Sequence, residues 1–207
     1  MEHADVLVVG GGPAGAACAA AVRRARPDAD VLVLDRADFP RDKVCGDGIA
    51  PEALDVLAGL GIDVAALTEG FPPVPRLRLR GPRGTTVERE TSRPSTVVPR
   101  AVLDGRLLGQ VLAGGVRFTR HTVRAVAVHP THVEVDGRFA APVLVGADGA
   151  ESVVRRALGV SSNRPDRLAV AIRGYAPALP AQGLTQVLVT TEQRWPCLLY
   201  TSDAADE

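Results

Sequence analysis

Residues 5–36 read DVLVVGGGPAGAACAAAVRRARPDADVLVLDR. Val6 to Val9 form a short apolar run rich in β-branched residues, the pattern of a buried parallel strand. Gly10, Gly12 and Gly15 follow in G-x-G-x-x-G spacing. The first glycine permits a tight turn out of the strand, the second lets backbone approach a pyrophosphate, and the third lets the next helix pack close to the sheet. The spacing predicts a helix from Pro13 to about Arg26, whose N-terminus directs free N–H groups and a partial positive charge at phosphate. Val31 to Leu34 give a second strand, closed by Asp35 where a ribose-binding carboxylate is expected. An acid at this point fits an adenosine ribose with a free 2′-hydroxyl, which favours FAD or NAD over NADP.

The chain has 207 residues, 46% hydrophobic and 23% charged, with a formal net charge of zero. That length holds one large domain or one domain and part of a second. The apolar content supports a real core and argues against disorder. No basic stripe suggests nucleic acid. Cys18, Cys45 and Cys197 show neither metal spacing nor a paired framework, which points to a reduced, cytoplasmic setting. No metal ligand set is expected, and His3, His121, His129 and His132 read as surface residues. No apolar run is long enough to span a bilayer, and the N-terminus enters a strand at once, unlike a signal peptide.

Further along, residues 37–48 read as a loop from their Pro, Gly and Asp content. Pro51 to Leu60 read as a helix, started by proline and stopped by Gly61. In residues 71–99 the alternation around Leu77 and Leu79, then from Thr86 to Glu90, predicts a hairpin with one solvated face. A helix over 101–113 carries Leu103, Leu107 and Val111 on one side. Strands are expected at 116–118, 123–128, 132–135 and 142–146, with an Asp136-Gly137 turn. A helix ending at Gly159 follows Asp148 and Gly149. Strands of a second sheet are expected at 168–175 and 185–191. Residues 197–207, CLLYTSDAADE, match the translation of a transposase-based sequencing adaptor. The natural sequence is therefore expected to end near Pro196 and the gene to continue beyond it, leaving two native cysteines.

Three separated motifs coincide: VGGGPAGAACA with its terminal acid, FPRDKVCGDGIAPEAL, and VGADGAESVVRRALG. With STVVPRAVLDGRLL they resemble the FAD-dependent oxidoreductases of the para-hydroxybenzoate hydroxylase structural group. Within that group the FPRDKVCGDG stretch is most similar to the geranylgeranyl reductase family. The implied fold is α/β: a Rossmann-like FAD-binding domain with a parallel sheet, an inserted β meander, and the start of a mainly antiparallel substrate domain. Residues 1–70 and 96–162 would form the FAD-binding domain, and 71–95 with 163–196 part of the substrate sheet.

The resemblance implies roles residue by residue. Gly10, Gly12, Pro13, Ala14 and Gly15 would hold the FAD pyrophosphate. Asp35, where most relatives carry Glu, would bind the ribose, and Arg36 would lie on the adenine side. Arg100 would reach the flavin or its phosphates. Gly146, Asp148 and Gly149 would lie against the ribityl or ribose hydroxyls. Cys45, Gly46, Asp47 and Gly48 would sit beside the isoalloxazine ring, with Cys45 the candidate catalytic residue. Simpler roles stand beside these. Cys45 could be a buried hydrophobe, Asp47 a turn former, and Arg41 and Lys43 solvated loop charges. Arg100 could pair with Asp104 one helical turn away, and Asp148 could cap the following helix.

The activity implied is hydride delivery from reduced FAD to a carbon–carbon double bond of an isoprenoid, with a proton donor near Cys45. The substrate would be long and apolar, so peripheral membrane contact is expected. The electron donor would be NAD(P)H or a ferredoxin. The rival readings are a flavin monooxygenase of an aromatic or polyketide, a flavin halogenase, and a fragment that binds nucleotide without catalysis.

Overall fold

The computed structural model describes residues 1–81, 83–160, 172–175, 185–190 and 197–201. Its centre is a parallel sheet of β2 (Val6–Val9), β3 (Val31–Asp35), β7 (Arg117–Arg120) and β11 (Val143–Gly146) in the order β11-β2-β3-β7. Helix α1 (Pro13–Ala25) makes the crossover from β2 to β3. The strand order reverses between β2 and its two neighbours, which opens a crevice at the carboxyl ends of the strands.

Alternation along the strands sorts side chains into two cores. Val8, Val31 and Val33 face α1 and α4 (Arg100–Ala113), where they meet Ala16, Ala19, Leu103, Leu107 and Val111. The alanines let α1 lie close to the sheet. Leu7, Val9, Leu32 and Leu34 face the other way, toward Val135, Phe139 and Val154. That second layer is the meander of β8 (Val126–Val128), β9 (Val133–Val135) and β10 (Phe139–Ala141), joined at its edge by β1 (Glu2–His3). The molecule is thus helices, parallel sheet and meander in three layers.

A third sheet runs β13-β12-β5-β6-β4. It contains the hairpin of β5 (Pro73–Arg80) and β6 (Thr86–Val97), with β4 (Gly48–Ile49) on one side and β12 (Thr185–Thr190) and β13 (Cys197–Thr201) on the other. All its pairs are antiparallel except β12 with β5. The helix α2 (Pro51–Gly59) lies beside β6, and the hairpin returns the chain to α4.

The strands expected at 6–9, 31–34 and 142–146 are present as Val6–Val9, Val31–Asp35 and Val143–Gly146, and the helices expected at 13–26, 51–60 and 101–113 as Pro13–Ala25, Pro51–Gly59 and Arg100–Ala113. Five short elements were not anticipated: β1, β4, β10, β13 and α3 (Val64–Thr68). Each spans five residues or fewer, too short for a periodic signal, and they take their structure from tertiary neighbours. The expected strand at 168–175 lies partly outside the described residues, and 172–175 are not in a strand. No described helix is long and apolar enough to cross a membrane.

Candidate active site at the glycine turn

The turn out of β2 is as tight as its glycines imply. Gly10 has φ +105°, and a Cβ there would collide with the Ala147 carbonyl. A Cβ on Gly15 would collide with the Gly10 carbonyl oxygen. Both glycines therefore serve backbone packing between β2, α1 and the end of β11. Gly12 is different. It is the N-cap of α1 and supplies no side-chain cap, so the first-turn N–H groups stay open. The nearest atoms to a Cβ built on it are Arg41 Nη2 at 3.2 Å and Arg100 Nη2 at 3.8 Å.

Two guanidiniums thus converge on the open helix end, and one buried acid holds both. Asp104, with its side chain fully buried, accepts from Arg100 Nε at 2.6 Å and Arg100 Nη2 at 2.7 Å. Its Oδ2 also lies 3.0 Å from Arg41 Nη1. The angle there makes no hydrogen bond, so this buried Arg41 nitrogen is left without a hydrogen-bond partner. Arg41 also stacks on the Phe39 ring at 4.9 Å. Hydrogen bonding to Asp104 raises Arg100 further above the ordinary guanidinium range, and contact with Cys45 adds to this.

Arg41 is a correction to the sequence reading, which placed it among solvated loop charges. Its side chain is only 19% exposed, and its acidic partner lies far along the chain on α4. The expected pairing of Arg100 with Asp104 is present, and the same geometry keeps Arg100 at the glycine turn. Lys43 adds a third cation nearby: a Cβ on Gly149 would lie 3.2 Å from its Nζ.

Asp35 ends β3 beside this turn. Its carboxylate accepts from the Gly11 N–H at 2.7 Å and the Ala37 N–H at 2.9 Å. Arg36, the next residue, lines a cleft of about 760 Å³ together with Arg120, Arg124 and Arg138. Asp148 caps α5 (Val153–Ala157): it accepts from Ser152 Oγ at 2.6 Å and the Val153 N–H at 2.6 Å. Gly146 has a packing role, because a Cβ on it would lie 2.8 Å from Val154 Cβ.

The loop bearing Cys45 and Gly46 lies between two clamps. Cys45 is half-buried beside Arg100. Asp47, two residues on, has φ +57° and is 4% exposed. It accepts from Tyr175 Oη at 2.8 Å and Arg173 Nη1 at 3.1 Å, and Arg173 also bonds Asp42. Sequence reasoning treated Asp47 mainly as a turn former and singled out neither Arg173 nor Tyr175. Their partners lie more than a hundred residues away, at a separation of 126 for Arg173 and Asp47, and no local pattern reports such a pair.

The histidine reading also needs correcting. His121 is 15% exposed and donates to Asp136 at 2.7 Å. His132 donates to Glu134 at 3.1 Å.

The geometry fits a dinucleotide diphosphate. An uncapped helix N-terminus faces two guanidiniums, one with an unbonded buried nitrogen, and an acid closes the neighbouring strand. Comparison with known proteins agrees. The FAD binding domain family matches residues 3–193. Menaquinone reductase of Mycolicibacterium smegmatis is 38% identical over 189 residues, covering 84% of this chain and 44% of its own length. Digeranylgeranylglycerophospholipid reductase 2 of Methanosphaera stadtmanae is 28% identical over 185 residues, covering 79% of this chain and 44% of its own length. The chain therefore spans less than half the length of these relatives. The flavin-dependent brominase Bmp2 has the same fold, with a TM-score of 0.74 at 22% identity over 97% of this chain and 54% of its own. The geranylgeranyl-type resemblance is thus the more distant of the two reductase relationships. From the glycine turn, the two-arginine clamp and this match, the chain belongs to the FAD-binding domain family of flavin-dependent oxidoreductases.

Proposed function

We propose that the protein is an FAD-dependent reductase that saturates a carbon–carbon double bond in an isoprenoid-bearing substrate. The Arg41–Asp104–Arg100 clamp over Gly12 supports FAD binding. The relationship to a menaquinone reductase supports reduction over oxygenation. Menaquinones join a quinone ring to a polyisoprenoid chain, so that relative and the isoprenoid resemblance meet in one substrate class.

FAD, when bound, supplies the hydride. The chain's own residues bind and orient it. Arg41, Arg100 and the α1 amides would neutralise the diphosphate, Asp35 would take the ribose, and Arg36 would lie toward the adenine. Asp104 keeps the two arginines pointing into the site without leaving them unpaired when it is open. Cys45 is the side chain proposed to stand next to the reacting carbon, where a proton must arrive after hydride transfer. NAD(P)H is the proposed reductant, and the apolar substrate would bring the protein to the membrane surface.

The test is anaerobic turnover by the full-length protein with photoreduced flavin and a menaquinone. The expected product has gained two hydrogens on an isoprenoid double bond and keeps them when the ring is reoxidised to the quinone. A product that forms only with oxygen and gains an oxygen atom would make the protein a monooxygenase. With the same assay, Cys45→Ala should lower turnover by at least about tenfold while leaving flavin affinity unchanged.

A further inference from the structure

The β8–β9 hairpin gathers three metal-competent side chains outside the flavin site. His129 and His132 bracket the turn between the strands, and the His129 N–H bonds the His132 carbonyl at 2.9 Å. Val128 pairs with Val133, which puts the two histidines at the next step of the ladder. Their rings lie stacked, 4.6 Å between centroids and 16° from parallel. Glu134 is two residues beyond His132, so strand alternation places its side chain on the same face. Its carboxylate receives both: His132 Nε2 lies 3.1 Å from one oxygen and His129 Nε2 3.7 Å from the other.

We propose that His129, His132 and Glu134 form a binding site for a first-row divalent cation, with zinc its best-suited occupant. One ligand atom from each residue lies within 4.8 Å of the other two. Two imidazole nitrogens and a carboxylate oxygen are a recurrent zinc set, at bond lengths of about 2.0–2.2 Å. Closing on the ion needs only small rotations of exposed or half-buried side chains on a pinned turn. His132 Nδ1 lies 3.3 Å from Thr131 Oγ. Metal binding at Nε2 would displace the proton that this nitrogen donates to Glu134 and leave the ring proton on Nδ1, where the hydroxyl can accept it, the role outer partners play for ligating histidines. The fourth position opens to solvent and would carry water.

Without a metal, this cluster is an imidazole–carboxylate pair. The Glu134 carboxyl is held below the usual carboxylate range, first by the His132 hydrogen bond and further by His129.

The experiment is calorimetric titration of zinc chloride into the 207-residue chain and into His132→Ala and Glu134→Gln variants. One equivalent should bind the parent chain, and each variant should bind at least about tenfold more weakly. Absence of binding, or binding by either variant as tight as by the parent chain, overturns the site. A second measurement uses the unmodified chain and does not depend on variant folding. Nickel added in substoichiometric amounts should broaden the ring resonances of His129 and His132 and leave those of His3 and His121 sharp. Broadening confined to the latter pair would equally refute the assignment.

Discussion

Asp104 is the residue on which the site's electrostatics turn. It is fully buried on α4, and it compensates Arg100 and Arg41, neither more than 19% exposed. Removing one partner of a buried ionic group leaves uncompensated charge, and here it would leave two facing guanidiniums. Asp104→Ala should therefore destabilise the chain by about 3–5 kcal/mol, read from urea unfolding. Tyr175 gives a second prediction at this scale. Burial, then its hydrogen bond to Asp47, pushes its phenol up to about 12. Because the folded chain favours the neutral phenol, this stabilisation is present below the ordinary phenol range and is lost as pH rises through about 12. Ultraviolet titration should show one of the two tyrosines ionising that late, and Asp47→Asn should bring it down. Arg41 was illegible in the sequence because its acid lies on a distant helix. Gly10 and Gly15 were legible because the positive φ of the first and the approach of the second to the Gly10 carbonyl are set within the turn itself.

The cap on α5 carries the argument at the scale of elements. Ser152 Oγ accepts from the Arg155 N–H at 2.9 Å and donates to Asp148. One hydroxyl thus starts the helix and fixes the carboxylate at the end of β11. Ser152→Ala should lower stability by about 1–2 kcal/mol as a shift in the urea midpoint, and Ser152→Thr should restore most of it. The long helices and buried strands were legible from period and caps. The meander's third strand was not. Phe139–Ala141 is only three residues long and buried throughout, so it offers no alternation to read. It becomes a strand because β9 and β1 pair with it on either side.

For the whole molecule, acid stability rests partly on the meander that covers the parallel sheet. Burial works to raise the Asp136 carboxyl, but the His121 ring and the Ala125 and Arg124 amides outweigh it and hold the group below the usual carboxylate range. A folded-state value that is depressed contributes stability above the ordinary range, and the contribution disappears as pH falls through the depressed value. Stability should therefore decline as pH falls below the ordinary carboxylate range of about 4. Asp136→Asn should be less stable at neutral pH and show a shallower decline in that acid range, measured as urea midpoints against pH.

The sequence alone determined the dinucleotide half. A glycine turn, the strand before it, the alanine-rich helix after it and the acid closing the next strand are contiguous, and each is imposed by sterics within a few residues. The same holds for the Asp148–Gly149 turn into its helix. Tertiary structure alone decided which charges face the site. Arg41 becomes a site residue only when α4 brings Asp104 beneath it, and Asp47 finds Arg173 and Tyr175 only when a distant segment returns to its loop. His129, His132 and Glu134 meet because a two-residue turn folds them onto one face. Backbone constraints act along the chain and can be read there. Charge pairing acts through space, between segments whose nearness only the packed core creates.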